Sequence, residues 1–304
     1  MRGRWQTLVI TMKWSVFMPK YDKRRKYYMI LDCETATLPC AINYEEQERK
    51  NIAIAKPLIY DLGWKIVDRN GVVYHRENYL ITEVFSVPAI FDTAYYAEKR
   101  PIYLEKLRNS EISLVNWETA MTAFIADLSV CEAIGAYNSM FDFKKAIPFT
   151  ELYISKLYSN DYHNWLRWQE NTCAWIAEGN KIESQQNFEE SIFRFRGNTY
   201  PLFDLWGLSC QHILNCDEYK QMCIDQKWET ASGKYFKTSA ETAYRFLSGA
   251  TDFIESHTAI DDVDIESQLF AEIVKRTKNK WEIGIEFFPF RLLGTVEQYL
   301  SQLE

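Results

Sequence analysis

Apolar residues follow two rhythms along this chain. From Tyr27 to Leu80 they come in short runs, "YYMILDCE", "LIYDLGWKIVD" and "VVYHRENYLI", of strand length and rich in β-branched and aromatic residues. The last two are separated by "DRNG", whose Asn70-Gly71 suits a tight hairpin. Three antiparallel strands opening a sheet are predicted. Beyond residue 92 the period lengthens. Residues 92–108 read as a polar helix, and "NWETAMTAFIADL" sets Trp117, Met121, Phe124, Ile125 and Leu128 at helical spacing behind an Asn116 cap. "CEAIGAYN" returns to a short buried strand, and "SMFDFKKAI" opens another helix.

Residues 146–200 break the pattern, with aromatic clusters ("YHNWLRW", "FRFRG") set among polar stretches ("EGNKIESQQN"). A strand is expected at "YPLFDLW" and a helix across "LSCQHIL". In "WETASGKYFKTSAETAYRFLSG" a Gly-centred turn precedes a helix capped at Thr238 or Ser239, with Glu241 placed for reciprocal capping. The last clear helix runs from about Thr258 to Arg276, with Ile260, Val263, Leu269, Phe270, Ile273 and Val274 on its apolar face. The tail from residue 279 is apolar enough to pack. Strands first, then alternating helix and strand, predict a mixed α/β layer architecture.

Composition adds three points. The chain of 304 residues, 47% hydrophobic, can bury a sizeable core. Residues 1–27 hold eight Lys/Arg against Asp22 alone, a surplus of seven on a chain whose total is −7, so the remainder carries −14. That basic arm reads either as a polyanion contact or as a solvated terminus, and Met18 and Met29 are alternative starts. Seven scattered cysteines without a framework point to reduced thiols and a cytoplasmic setting, and no apolar run reaches membrane-spanning length.

Three short stretches carry the chemistry. In "LDCET" Asp32 and Glu34 share one strand face with Cys33 opposite, and two adjacent carboxylates repel unless a cation joins them. A hard divalent ion with oxygen ligands is the natural partner, although a solvated strand end is the commoner meaning of such a pair. In "GAYNSMFDF" Asp142 follows a buried strand at the edge where α/β sites collect, and Asn138 is placed to pin the turn through its own backbone. Alone, Asp142 reads as a first-turn acid favoured by the helix dipole. In "HTAIDD" five steps of about 100° leave His257 and Asp262 on different helical faces, so both address one site only if His257 lies on the preceding loop. A neutral imidazole there suits a general base, and His75, His163 and His212 have no comparable acidic company.

Taken together, Asp-x-Glu, Asn-x-x-Phe-Asp and His-x-x-x-x-Asp resemble the three motifs of the DEDDh family of 3′-to-5′ exonucleases. The resemblance spans about Tyr28 to Lys278 and implies a ribonuclease H-like fold. It implies a mixed central sheet with antiparallel first three strands, and an exonuclease domain over 28–278 with a family-variable insertion at 146–200. The basic arm 1–27 and the tail 279–304 flank it. It further implies that Asp32, Glu34, Asp142 and Asp262 hold two Mg²⁺ or Mn²⁺ ions and that His257 is the general base. Asp261 competes with Asp262 as ligand, and the family spacing selects Asp262. Thr35, Asn138 and Phe141 fall at substrate-contacting positions. The implied partners are the 3′ end of single-stranded DNA or RNA and a DNA polymerase, with either a monomer or a homodimer expected.

Other readings stand beside it. Trp165, Trp168, Arg194, Phe195 and Arg196 could clamp bases or simply pack, and Lys144 and Lys145 could meet phosphates. Cys210, His212, Cys216 and Cys223 lack the knuckle spacing of a zinc site and read as ordinary buried cysteines. The alternative function is a catalytically idle member of the fold that binds nucleic acid or a replication partner.

Overall fold

The computed structural model describes residues 21–22, 24–38, 56–177, 191–278 and 288–303. The expectations for the arm up to residue 20, for 178–190 and for the start of the tail at 279–287 fall outside the described residues.

The protein is an α/β molecule built on a seven-stranded mixed sheet flanked by helices. Strands β1 (Tyr27–Thr37), β2 (Pro57–Asp68) and β3 (Val73–Ile81) pair antiparallel in succession, as the strand-length apolar runs and the Asn70-Gly71 turn predict. Gly71 turns the β2–β3 hairpin at φ +75°, and its N–H closes the turn on the Asp68 carbonyl at 2.9 Å. The helix expected over 92–108 is shorter than its pattern suggested: α1 spans Arg100–Arg108 and carries Pro101 in its first turn. Proline supplies the helical φ but no N–H, which suits a helix start. Three-residue β4 (Ser113–Val115) pairs parallel to β3 at the sheet edge.

Helix α2 (Trp117–Leu128) begins where Asn116 accepts the Thr119 N–H, and it leads into β5 (Ala133–Ala136), parallel to β1. After β5 the chain turns at Asn138, φ +73°, into a helical run. Pro148 has no N–H to return to the preceding turn, and that turn opens into a π-helical stretch, Asp142–Ala146, before α3 (Ile147–Leu157). Helix α4 (Tyr162–Ala177) follows, then a hairpin of β6 (Ile192–Phe195) and β7 (Asn198–Asp204). Arg196 and Gly197 turn it, both at positive φ. Strand β7 lies parallel to β5, giving the order β4-β3-β2-β1-β5-β7-β6.

The remaining elements cover one face: α5 (Leu205–Ser209), α6 (Asp217–Gln226), α7 (Ala240–Ser248), α8 (Ala259–Thr277) and α9 (Val296–Leu300). Ser239 caps α7, so Glu241 falls one place early for the expected reciprocal cap and pairs with Arg245 at 2.5 Å instead. The tail packs: Leu293, Val296 and Tyr299 are buried in the core beneath α8.

Every residue of β2 is buried, because the sheet carries a separate core on each side. The first gathers Trp64, Trp117, Phe124, Tyr153 and Phe193, the second Phe203, Tyr219, Leu269, Phe270 and Tyr299. Each such side chain contributes about 1.5–3 kcal/mol by leaving water. Strand β1 feeds both, with Met29, Leu31 and Cys33 in the first and Ile30 in the second. Trp165 and Phe195 belong to the first core, and the Arg196 guanidinium is held by Glu118 and Glu151 at 2.8 and 2.9 Å, so these three pack. Trp168 is exposed under the Lys56 ammonium. Lys144 donates to the Ile192 carbonyl, tying the π-helical stretch to β6. Among the described residues no helix is long and apolar enough to cross a membrane.

Candidate active site

Strands β1, β5 and β7 run parallel, so their carboxyl ends open on one edge, and there the acids gather. Asp32 faces Gly63 across the β1–β2 pairing and Glu34 faces Asp61, just before a bulge between Glu34 and Thr35. Gly63 decides how α8 arrives. A Cβ at that position would sit 2.7 Å from the Ile260 nitrogen and 2.9 Å from the Ala259 carbonyl carbon, so only glycine lets the helix start rest on β2 beside Asp32. Asp61 completes the docking: its Oδ2 accepts the Ala259 N–H at 2.9 Å and Oδ1 accepts from Asn78 at 2.7 Å. A strand residue thus serves the first turn of a distant helix.

Asp261 and Asp262 then separate. Asp261 turns to Lys106 at 2.8 Å and to the Thr258 hydroxyl at 2.7 Å. Asp262 turns inward, 6% exposed, with no partner for its buried Oδ1 among the described residues. Asp142 comes from the other side of β1, where the Cys33 thiol donates to its Oδ1 at 2.9 Å. The site therefore wraps the strand end and uses both faces, which alternation alone did not suggest for Cys33.

The turn before Asp142 is pinned differently from expectation. The Asn138 side chain makes no capping bond. Instead the Ser139 hydroxyl donates to the Phe203 carbonyl at 2.6 Å, and the Ser139 N–H donates to Asp204 at 2.8 Å. Asn138 supplies the left-handed backbone, which asparagine tolerates well.

His257 lies on the loop before α8 at φ +50°, a left-handed conformation. Its ring stacks on Tyr96, centroids 4.2 Å apart and 13° from parallel. Lys99 holds the same loop, its Nζ 4.3 Å from the Tyr96 ring centroid and 2.5 Å from the Ser256 carbonyl. Nδ1 of His257 lies 3.7 Å from Glu255 Oε2 and 4.0 Å from Asp262 Oδ2. Burial and the Lys99 ammonium hold the imidazole below its ordinary pKa.

Asp32, Glu34, Asp142, His257 and Asp262 line one cavity of about 260 Å³, joined by Cys33, Phe141, Glu255 and Glu266. Thr35 and Asn138 are not on its lining. Glu34, His257 and Asp262 each present a ligand atom within 4.8 Å of the others. The acids are ill at ease. Burial, then Glu266, Asp262 and Asp142, pushes Asp32 well above the usual carboxylate range. Burial, then Glu255 and Asp261, pushes Asp262 up to about 9, and burial lifts Asp142 to about 7. An all-oxygen set of crowded carboxylates with orphaned buried oxygens fits a hard divalent cation.

Sequence reasoning passed over Cys33, Glu255, Glu266 and Tyr96. For Glu266 a signal was present: it sits four residues after Asp262, one helical turn along the same face. His75 also corrects an expectation, since its Nε2 lies 3.1 Å from Glu77 and 3.3 Å from Asp127. That acidic company is outside the cavity and its main tie, to Asp127, spans two elements. A larger groove of about 830 Å³ runs between the β2–β3 hairpin and the far half of α8, but its Lys65 and Lys275 are paired with Asp264 and Glu272. The chain matches no protein-family model and no curated protein, so its function rests on the geometry of this cavity.

Proposed function

We propose that the protein is a metal-dependent 3′-to-5′ exonuclease on a ribonuclease H-like fold, removing nucleoside 5′-monophosphates from single-stranded DNA or RNA. The observation that carries this reading is the meeting, in one cavity, of Asp32 and Glu34 from β1, Asp142 after β5, and His257 with Asp262 at the start of α8. Four acids and a histidine in that order are the DEDDh set.

Asp32, Glu34, Asp142 and Asp262 would hold two Mg²⁺ or Mn²⁺ ions. When bound, such ions activate water and stabilise the charge that develops on the phosphate and on the departing 3′ oxygen. The chain's own residues do the rest. Asp61 and Gly63 fix the start of α8 against β1, and the Cys33 thiol orients the Asp142 carboxylate. Tyr96 sets the plane of the His257 ring. With Nδ1 turned to Glu255, Nε2 is the atom left to take a proton from the attacking water. The water oxygen bonds to phosphorus, the bond to the 3′ oxygen breaks, and the shortened strand ends in a 3′ hydroxyl.

The test is digestion of 5′-labelled single-stranded DNA, duplex DNA and RNA with Mg²⁺ or Mn²⁺. A descending ladder that Asp32→Ala and His257→Ala abolish supports the reading. Equal cleavage by those variants, or cutting of a circular strand, overturns it.

A further inference from the structure

We propose that Glu266 is a fifth carboxylate ligand of the metal site, outside the four acids of the motif. The inference rests on the metal-site reading above and extends it. Glu266 stands on α8 one turn after Asp262, so both project from the same helical face. It is 2% exposed and lines the cavity with Asp32, Asp142 and Asp262. Its Oε2 is buried with no hydrogen-bond partner among the described residues.

A structural glutamate has different surroundings. Glu83 is also buried, yet both of its oxygens accept the Trp117 N–H, at 3.1 and 3.2 Å. The charges acting most strongly on Glu266 are instead three more carboxylates, Asp142, Asp262 and Glu255, opposed by the Tyr137 backbone N–H. An orphaned carboxylate oxygen among like charges costs stability unless something neutralises it. Two species can do so, a proton shared with a neighbouring acid or a divalent cation. The cation is favoured because Glu266 lines the cavity that already gathers the other four acids. Five carboxylates around two divalent ions leave one net negative charge, and each ligand adds hold on the metal.

The two species respond differently to Glu266→Gln, which can still donate a hydrogen bond but carries no charge. Calorimetric Mn²⁺ titration of the full chain, with melting temperatures in EDTA and in Mn²⁺, separates them. The Gln variant is expected to melt at or above the wild type in EDTA, because a repelling charge is gone. Its Mn²⁺ affinity should fall by at least the roughly 10- to 100-fold that follows loss of an outer partner of a metal site, and the melting rise on adding Mn²⁺ should shrink. Glu266→Asp keeps the charge but withdraws it by one methylene; it should weaken Mn²⁺ binding with little change in EDTA, and it serves should the Gln variant not fold. Wild-type affinity and stoichiometry in the variants overturn the inference and leave the nuclease reading standing. A wild type that binds no Mn²⁺ overturns both. Mn²⁺ binding that depends on Glu266, in a protein that shortens no oligonucleotide, overturns the nuclease reading alone.

Discussion

Two sets of buried acids occupy this molecule, and they are built on opposite principles. Asp61, Glu83, Asp127 and Asp204 are supplied with donors. Asp61 takes Ala259 and Asn78, and Glu83 takes the start of α2. Asp127 takes Trp64 Nε1 at 2.8 Å with His75 beside it, and Asp204 takes the Ser139 and Gly207 N–H groups, both at 2.8 Å. At the carboxyl edge of the sheet the pattern inverts. Among the described residues Asp142 has the Cys33 thiol, while Asp262 and Glu266 each keep a buried oxygen without a partner. Burial of an acid therefore marks nothing by itself. What separates the two sets is whether the fold has already answered the charge.

The comparison can be broken most directly at Asp32. Asp32→Ala should lower the proposed nuclease activity by roughly 10³-fold or more, since in that reading several kcal/mol of charge stabilisation depend on the ions. Its melting temperature in EDTA should stay level or rise. A melting temperature that fell as far as that of a structural-acid variant would erase the distinction between the two sets. His257→Ala should cost about 10²- to 10⁴-fold in turnover, the usual contribution of a general base, with Mn²⁺ affinity retained. Turnover within a few-fold of wild type would remove His257 from its role.

Asp204→Ala sharpens the other side. Loss of the α5 cap at about 1 kcal/mol, together with an unpaired buried N–H at about 1–3 kcal/mol, predicts a loss of about 2–4 kcal/mol in urea unfolding. His75 gives a pH signature from the satisfied set. The bonds to Asp127 and then Glu77 raise its pKa to about 10, above an unfolded value near 6.5. Its stabilisation is accordingly complete below about pH 6.5 and is lost as pH rises through about 10. The gap in unfolding free energy between wild type and His75→Gln should therefore be widest near pH 6 and close by pH 10; a gap that widened with pH would refute the assignment. Smallest is Arg196→Ala, whose ion pairs with Glu118 and Glu151 lie at the surface and should be worth about 1 kcal/mol or less.

What was legible in the sequence was local. The three opening strands, the Asn70-Gly71 hairpin and the Asn116 cap depend on residues within a few positions of one another, and the periodicity displays them directly. The five candidate positions were readable as a set only through the motif order, because Asp142 alone is indistinguishable from an acid on a helix dipole. What escaped was the tertiary pairing. His75 finds Asp127 on α2 rather than in its own strand, and β4 is a strand only because β3 lends it an edge. Cys33 was placed on the far face of its strand, and it does lie there; nothing local says that Asp142 would be brought to that face. Glu266 lies one helical turn beyond the last motif residue, where the motif spacing does not reach.

Gly63 bears on how such a site tolerates drift in the rest of the chain. At Gly63 the backbone of β2 lies against the backbone of the start of α8, with no side chain between them. Elsewhere in the two cores a methylene gained or lost can be absorbed by a neighbour's rotamer, and the layers settle a little nearer or farther. Here nothing adjustable lies in the gap, so the spacing from Asp32 to Asp262 is machined into the main chain, like a shoulder against which a part is seated. The surrounding core is free to change its shims while that dimension stays fixed.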